Sequence, residues 1–157
     1  MRSIKYLLLI LTLITICSGV ALGQGWRGIQ PLHSTRTDVE KLLGPPPAGA
    51  GYTYELENER VYFEYQNPES VCGKTWGYWN VPLNTVLYIL VVPKEKKPLA
   101  ELGLDRTYIK SHTCMPGTFN YSNEDNGITY SVTRDLVTQI GYTPALKDRR
   151  RLSCPRE

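Results

Sequence analysis

Residues 52–65, YTYELENERVYFEY, decide the fold. Tyr52, Tyr54 and Leu56 alternate with Thr53, Glu55 and Glu57, and beyond Asn58 the alternation resumes with Val61, Phe63 and Tyr65 set against Arg60, Tyr62 and Glu64. Successive side chains of a strand leave on opposite faces, so this is an antiparallel hairpin with one dry face and one wet face, turning at residues 57–59. Its glutamates, Glu55, Glu57, Glu59 and Glu64, fall on the wet face or the turn, where charge serves solubility and edge protection.

A half-apolar sheet needs a cover, and residues 34–45, STRTDVEKLLGP, supply one. Thr35 caps a short helix with Asp38 three residues on, Val39, Leu42 and Leu43 form its apolar stripe, and Gly44-Pro45 stops it. Downstream, residues 85–92 (TVLYILVV) are continuously apolar and Pro93 ends them, which predicts a central strand covered on both faces. In residues 98–112, Leu99, Leu102 and Leu104 line a short helix and residues 108–112 read as extended. Alternation returns with Phe119 and Tyr121, turns at Asn126-Gly127, and continues through Ile128, Tyr130 and Val132. A last strand places Leu136, Thr138, Ile140 and Tyr142 on one face before Pro144 breaks it. The fold class is therefore α+β: an antiparallel sheet with one short helix packed on it. Segment order further suggests a loose tandem of two helix-plus-sheet halves, residues 35–92 and 99–142.

The N-terminus carries a different signal. Arg2 and Lys5 precede a ten-residue apolar run, residues 7–16, which has the length of a signal-peptide core and is too short to span a bilayer unaided. Ala21-Leu22-Gly23 offers a small-x-small cleavage pattern, so residues 1–23 read as a signal peptide cut before Gln24, with cleavage after Ala21 as the alternative, and residues 24–157 as a single α+β domain. Cys17, directly after the apolar run, raises lipidation as a rival; Ile16 and Ile14 stand where a lipobox wants a small residue and a leucine. Contact with a membrane is expected only through a lipidated Cys17 or a retained signal, and the chain is expected in the periplasm or outside the cell.

Removing residues 1–23 takes two of the 18 basic residues and none of the 15 acidic ones, which leaves 16 against 15 and a net charge of +1. That balance excludes a nucleic-acid partner, since the short runs at residues 94–97 and 149–151 read as solvated turn and tail. Cys72, Cys114 and Cys154 remain, enough for one bridge and one spare thiol. All three pairings are open; Cys72 with Cys154 is favoured because it ties the basic tail to the body and closes a loop of about 80 residues, worth roughly 4 kcal/mol.

Residues 32–45, LHSTRTDVEKLLGP, resemble the Thr-x-x-x-Val-x-x-Leu-Leu-Gly-x-Pro signature of the SmpA/OmlA outer-membrane assembly lipoproteins, matched by Thr35, Val39, Leu42, Leu43 and Gly44; Pro45 falls one place early, and the next residue, Pro46, sits at the signature's proline. In that family and in the β-lactamase inhibitor protein fold the helix bearing the signature packs on an antiparallel sheet, so the resemblance implies a helix-on-sheet unit. Residues 79–82, WNVP, ahead of an apolar strand, are also similar to uncharacterised secreted bacterial proteins.

Catalytic and metal motifs are not apparent. His33 and His112 lack a nucleophile or acid at a spacing that imposes a device; His112 and Cys114, two residues apart in extended chain, are the nearest thing to a thiol or hydrolytic centre. Residues 123–126 (NEDN) do not have EF-hand spacing and read as a hairpin turn. Asn120-Tyr121-Ser122 is a formal glycosylation sequon inside a predicted strand. The feature with physical weight is aromatic: Trp76, Tyr78 and Trp79 cluster in a Gly-containing loop beside Cys72, where they form a binding surface or close one end of the core, and Trp26 lies near the mature N-terminus. The function expected is a non-enzymatic binding module acting on a cell-envelope or extracellular protein, with no cofactor and no metal. The alternatives are a membrane-associated structural accessory and, last, an enzyme using His112 and Cys114.

Overall fold

The computed structural model describes residues 25–74 and 77–155; the export segment 1–23 with Cys17, the cleavage position at Gln24, and Trp76 of the aromatic loop lie outside the described residues. Seven antiparallel strands form one sheet: β1 (Thr53–Glu55), β2 (Glu59–Tyr65), β3 (Val86–Pro93), β4 (Ile109–His112), β5 (Thr118–Asn123), β6 (Ile128–Thr133) and β7 (Leu136–Tyr142). Their spatial order is β1-β2-β3-β7-β6-β5-β4. Two meanders thus meet through their last strands, with Ile89 opposite Tyr142 and Val91 opposite Ile140.

The hairpin of residues 52–65 forms as its alternation requires. Thr53 pairs with Tyr62 and Glu55 with Arg60, and along β2 the buried positions are Val61, Phe63 and Tyr65. Their dry face meets helix α1 (Arg36–Leu43), whose N-terminus carries a complete capping box: the Thr35 hydroxyl accepts from the Asp38 amide, and the Asp38 carboxylate accepts from the Thr35 amide at 2.8 Å. Val39 reaches zero exposure against Phe63, Ile89 and Val91, and Trp26 and Ile29 of the lead-in complete the cluster. Trp26 stands edge-on to Phe63 at 5.7 Å, so this ring closes the core. Each fully buried side chain of this size contributes roughly 1.5–3 kcal/mol through removal from water.

Four expectations need correction. β3 is central, but its cover is uneven: Val86, Ile89 and Val91 are buried in the α1-side core and Leu87 is buried beside the groove, whereas Tyr88, Leu90 and Val92 are half-buried. Along β7, Leu136 and Thr138 do not share the face of Ile140 and Tyr142: Val132 pairs with Val137 and Ser131 with Gln139, so Thr138 is an extra residue whose bulge reverses the alternation, burying Val137 and exposing Leu136. The two halves are meanders of three and four strands, and the counterpart of α1 is a 3-10 turn, Leu99–Leu102, that buries no residue. Finally, a second α-helix, α2 (Leu146–Leu152), follows the sheet; with apolar residues only at its ends, LKDRRRL shows no stripe, and its buried residue is Asp148.

Candidate functional site

The aromatic loop begins where β2 runs out. Gln66, next after Tyr65, is 1% exposed, and its side chain stitches the loop together: Nε2 donates to the carbonyls of Ser70 (2.8 Å) and Trp79 (3.3 Å), while Oε1 accepts from the Ser70 hydroxyl. An Asx turn at Asn67, whose Oδ1 accepts from the amides of Glu69 and Ser70, sets the loop's first bend. Gly77 then passes so close to Val71 that a β-carbon would lie 2.0 Å from the Val71 carbonyl oxygen, which restricts this position to glycine.

Residues 78–80 receive the C-terminal tail as a short antiparallel ladder. The Asn80 amide donates to the Leu152 carbonyl at 2.7 Å, the Cys154 amide donates to the Tyr78 carbonyl at 3.0 Å, and Trp79 bridges Ser153. The Cys72–Cys154 disulfide, Cα–Cα 5.5 Å, locks that ladder, forming the pairing favoured on sequence grounds. Cys114 is free and exposed.

This clamp walls a groove of about 720 Å³ against the sheet face opposite α1. The cross-strand pair Glu64 and Tyr88 lines it, together with Tyr78 and Trp79 of the loop, Pro144 and Arg149 from the start of α2 and Glu69. Tyr78 is 63% exposed, whereas Trp79 is partly buried under the tail. Burial, with the Glu64 charge beside it, raises the pKa of the Tyr88 hydroxyl above its ordinary value. Three aromatic surfaces and two carboxylates held on rigid backbone can bind; among the described residues they are not accompanied by a nucleophile hydrogen-bonded to a base.

The other sequence candidates are placed apart from the groove. His112 packs edge-on against Phe119 at 4.9 Å on edge strand β4, Cys114 lies beyond it, both are exposed, and no hydrogen bond joins them. His33 does have an acidic partner that sequence spacing did not reveal: its Nε2 lies 3.1 Å from Oδ2 of buried Asp148 in α2, and Arg151 approaches the same carboxylate at 3.5 Å. This contact pins α2 to the segment before α1. Asn120 of the sequon accepts from the Ser131 hydroxyl within the sheet. Among the described residues no group of three or more His, Cys, Asp or Glu could hold a metal ion, and no helix is long and apolar enough to cross a membrane.

Fold and site together define an α+β protein with an antiparallel sheet and a disulfide-clamped aromatic groove, compatible with an oxidising compartment. No protein-family model, curated protein or solved structure matches the chain.

Proposed function

We propose that this is an exported, non-enzymatic binding protein whose partner, a protein of the cell envelope or extracellular space, docks in the clamped groove. The observation that carries the reading is the placing of Tyr78, Trp79 and Tyr88 around one concavity by a covalent clamp and a buried glutamine. Tyrosine and tryptophan supply large contact area at little cost in rotamer entropy, and a pre-organised wall reduces the ordering cost of association. Export rests on residues 1–23 as read from the sequence, and a bridge between Cys72 and Cys154 agrees with it.

The test is site-specific photo-cross-linking in cells of the source organism, with a benzophenone amino acid in place of Tyr78. The expected result is one discrete adduct in the extracytoplasmic fraction that disappears in a folded Tyr88→Ala variant; a control probe at exposed Thr37 on α1 gives none. Adducts that are diffuse, or identical from positions 78 and 37, overturn the proposal.

A further inference from the structure

Resting on that docking reading and sharpening it, we infer that the groove receives a lysine or arginine side chain of the partner, its cationic head between Glu64 and Glu69 and its stem along Tyr88 and Trp79. The inference begins with charge. Both carboxylates line the groove and are exposed, and among the described residues neither enters an ion pair within 4.0 Å.

The basic residue of the lining, Arg149, pairs with neither of them within 4.0 Å. Its Nε donates to the Pro144 carbonyl at 2.9 Å, its Nη2 lies 3.4 Å from the Thr143 hydroxyl, and its Nη1 is 3.8 Å from Glu124. The guanidinium is thus engaged with the β7–α2 junction and with a carboxylate outside the groove. A docking partner without positive charge would strip water from Glu64 and Glu69 with nothing in return, and an acidic one would be repelled.

The rings select for the same chemistry. A cation over an aromatic face is attracted by its quadrupole, and among the described residues this contact occurs four times: Lys110 Nζ lies 3.9 Å from the Phe119 centroid and 5.5 Å from that of Tyr121, Arg27 4.9 Å from Trp26 and Arg36 5.4 Å from Tyr52. In the groove, Tyr78, Trp79 and Tyr88 are not covered by any such cation among the described residues. A long aliphatic stem ending in a charge fills an aromatic slot with acidic ends better than any neutral side chain does.

The test uses the full mature chain with its disulfide intact, isotope-labelled for NMR, titrated with four blocked amino acids: the N-acetyl methylamides of arginine, lysine, norleucine and glutamate. The arginine and lysine probes are expected to shift the signals of Tyr78, Trp79 and Tyr88 and to bind roughly tenfold tighter than norleucine, the combined effect of one ring and one charge pair. The double variant Glu64→Gln/Glu69→Gln, altered only at exposed positions, should erase that advantage, bringing arginine and lysine binding down to the level of norleucine. Equal binding of arginine and norleucine, a preference for glutamate, shifts located elsewhere, or cationic binding untouched in the double variant each overturn the inference. An adduct from position 78 together with such a failure leaves docking standing and removes only the cation, whereas selective arginine binding without any adduct removes the protein partner and keeps the chemistry.

Discussion

Opening the Cys72–Cys154 bridge is the sharpest perturbation of both the fold and the groove. The two cysteines are separated by 82 residues. In the chain-entropy description a loop of that length restricts the unfolded chain by about 4.5 kcal/mol at room temperature. Domains of ordinary size are stable by about 5–15 kcal/mol, so most of the margin is at stake, and the corresponding fall in Tm is roughly 15 °C. The native state offers little to offset the loss, because the tail is otherwise held to residues 78–80 by two backbone hydrogen bonds, each worth about 1 kcal/mol. The variant Cys72→Ala/Cys154→Ala should therefore show a large fall in urea midpoint, with a changed dependence on denaturant because the released unfolded chain exposes more surface. Trp79 fluorescence should respond at lower urea than the far-ultraviolet signal, since the ladder opens before the sheet. A loss below about 1 kcal/mol, with both signals coincident, would mean that the tail is held by packing and that the entropic argument is wrong.

Three further outcomes follow from individual residues. Gln66→Leu keeps the volume but leaves the Ser70 and Trp79 carbonyls without their donor, and should cost about 2–4 kcal/mol by urea unfolding and loosen the amides of residues 70 and 79 in hydrogen exchange. The Asp38 carboxyl is held below its ordinary value of 3.8 by the backbone and side-chain hydrogen bonds from Thr35; its stabilisation is present above that value and is lost as pH falls through the lowered folded value, so Asp38→Asn should flatten the acid limb of the stability profile. Tyr130 is pushed up to about 12 by burial, with Tyr108 and Tyr142 adding to it. The unfolded chain then ionises first, so stability is complete below about pH 10 and declines between about 10 and 12, a decline that Tyr130→Phe should reduce in tyrosinate absorbance and unfolding measurements.

What could be read in advance was local. The alternation of residues 52–65, the Thr35–Asp38 capping box and the Asn126-Gly127 turn each depend on neighbours in sequence. Gly127 takes φ +68° at a point where a β-carbon would lie 2.1 Å from the Thr143 carbonyl oxygen, so the chain had to display its signal there. The turn between β6 and β7 displays none: Arg134 and Asp135 both adopt positive φ, 52° and 62°, in a two-residue connection that commonly carries Asn-Gly. Thr138 resembles any other strand threonine until its partners are known, so the bulge and the reversal it causes had no local mark. His33 and Asp148 meet only because the sheet and α2 bring the two ends of the chain together, and no periodicity encodes that.

The groove shows why a site can be half legible. Tyr78, Trp79, Cys72 and Cys154 stood out by residue type, because such rings and such a pairing are costly to leave without a role. Glu64 and Tyr88 were hidden by the rule that made the fold readable: alternation assigns Glu64 to a wet face, and a wet face is ordinarily surface. Here Gln66 ends β2 with a buried side chain, turns the chain back over that face, and the disulfide fixes the loop in place. Water still reaches Glu64, as alternation requires, but from inside a concavity walled by Tyr78, Trp79 and Arg149. A polar strand face thereby becomes the floor of a binding site without breaking the pattern that built the sheet, and the residue that brings this about, Gln66, is an ordinary polar side chain in the sequence and one of the most deeply buried in the fold.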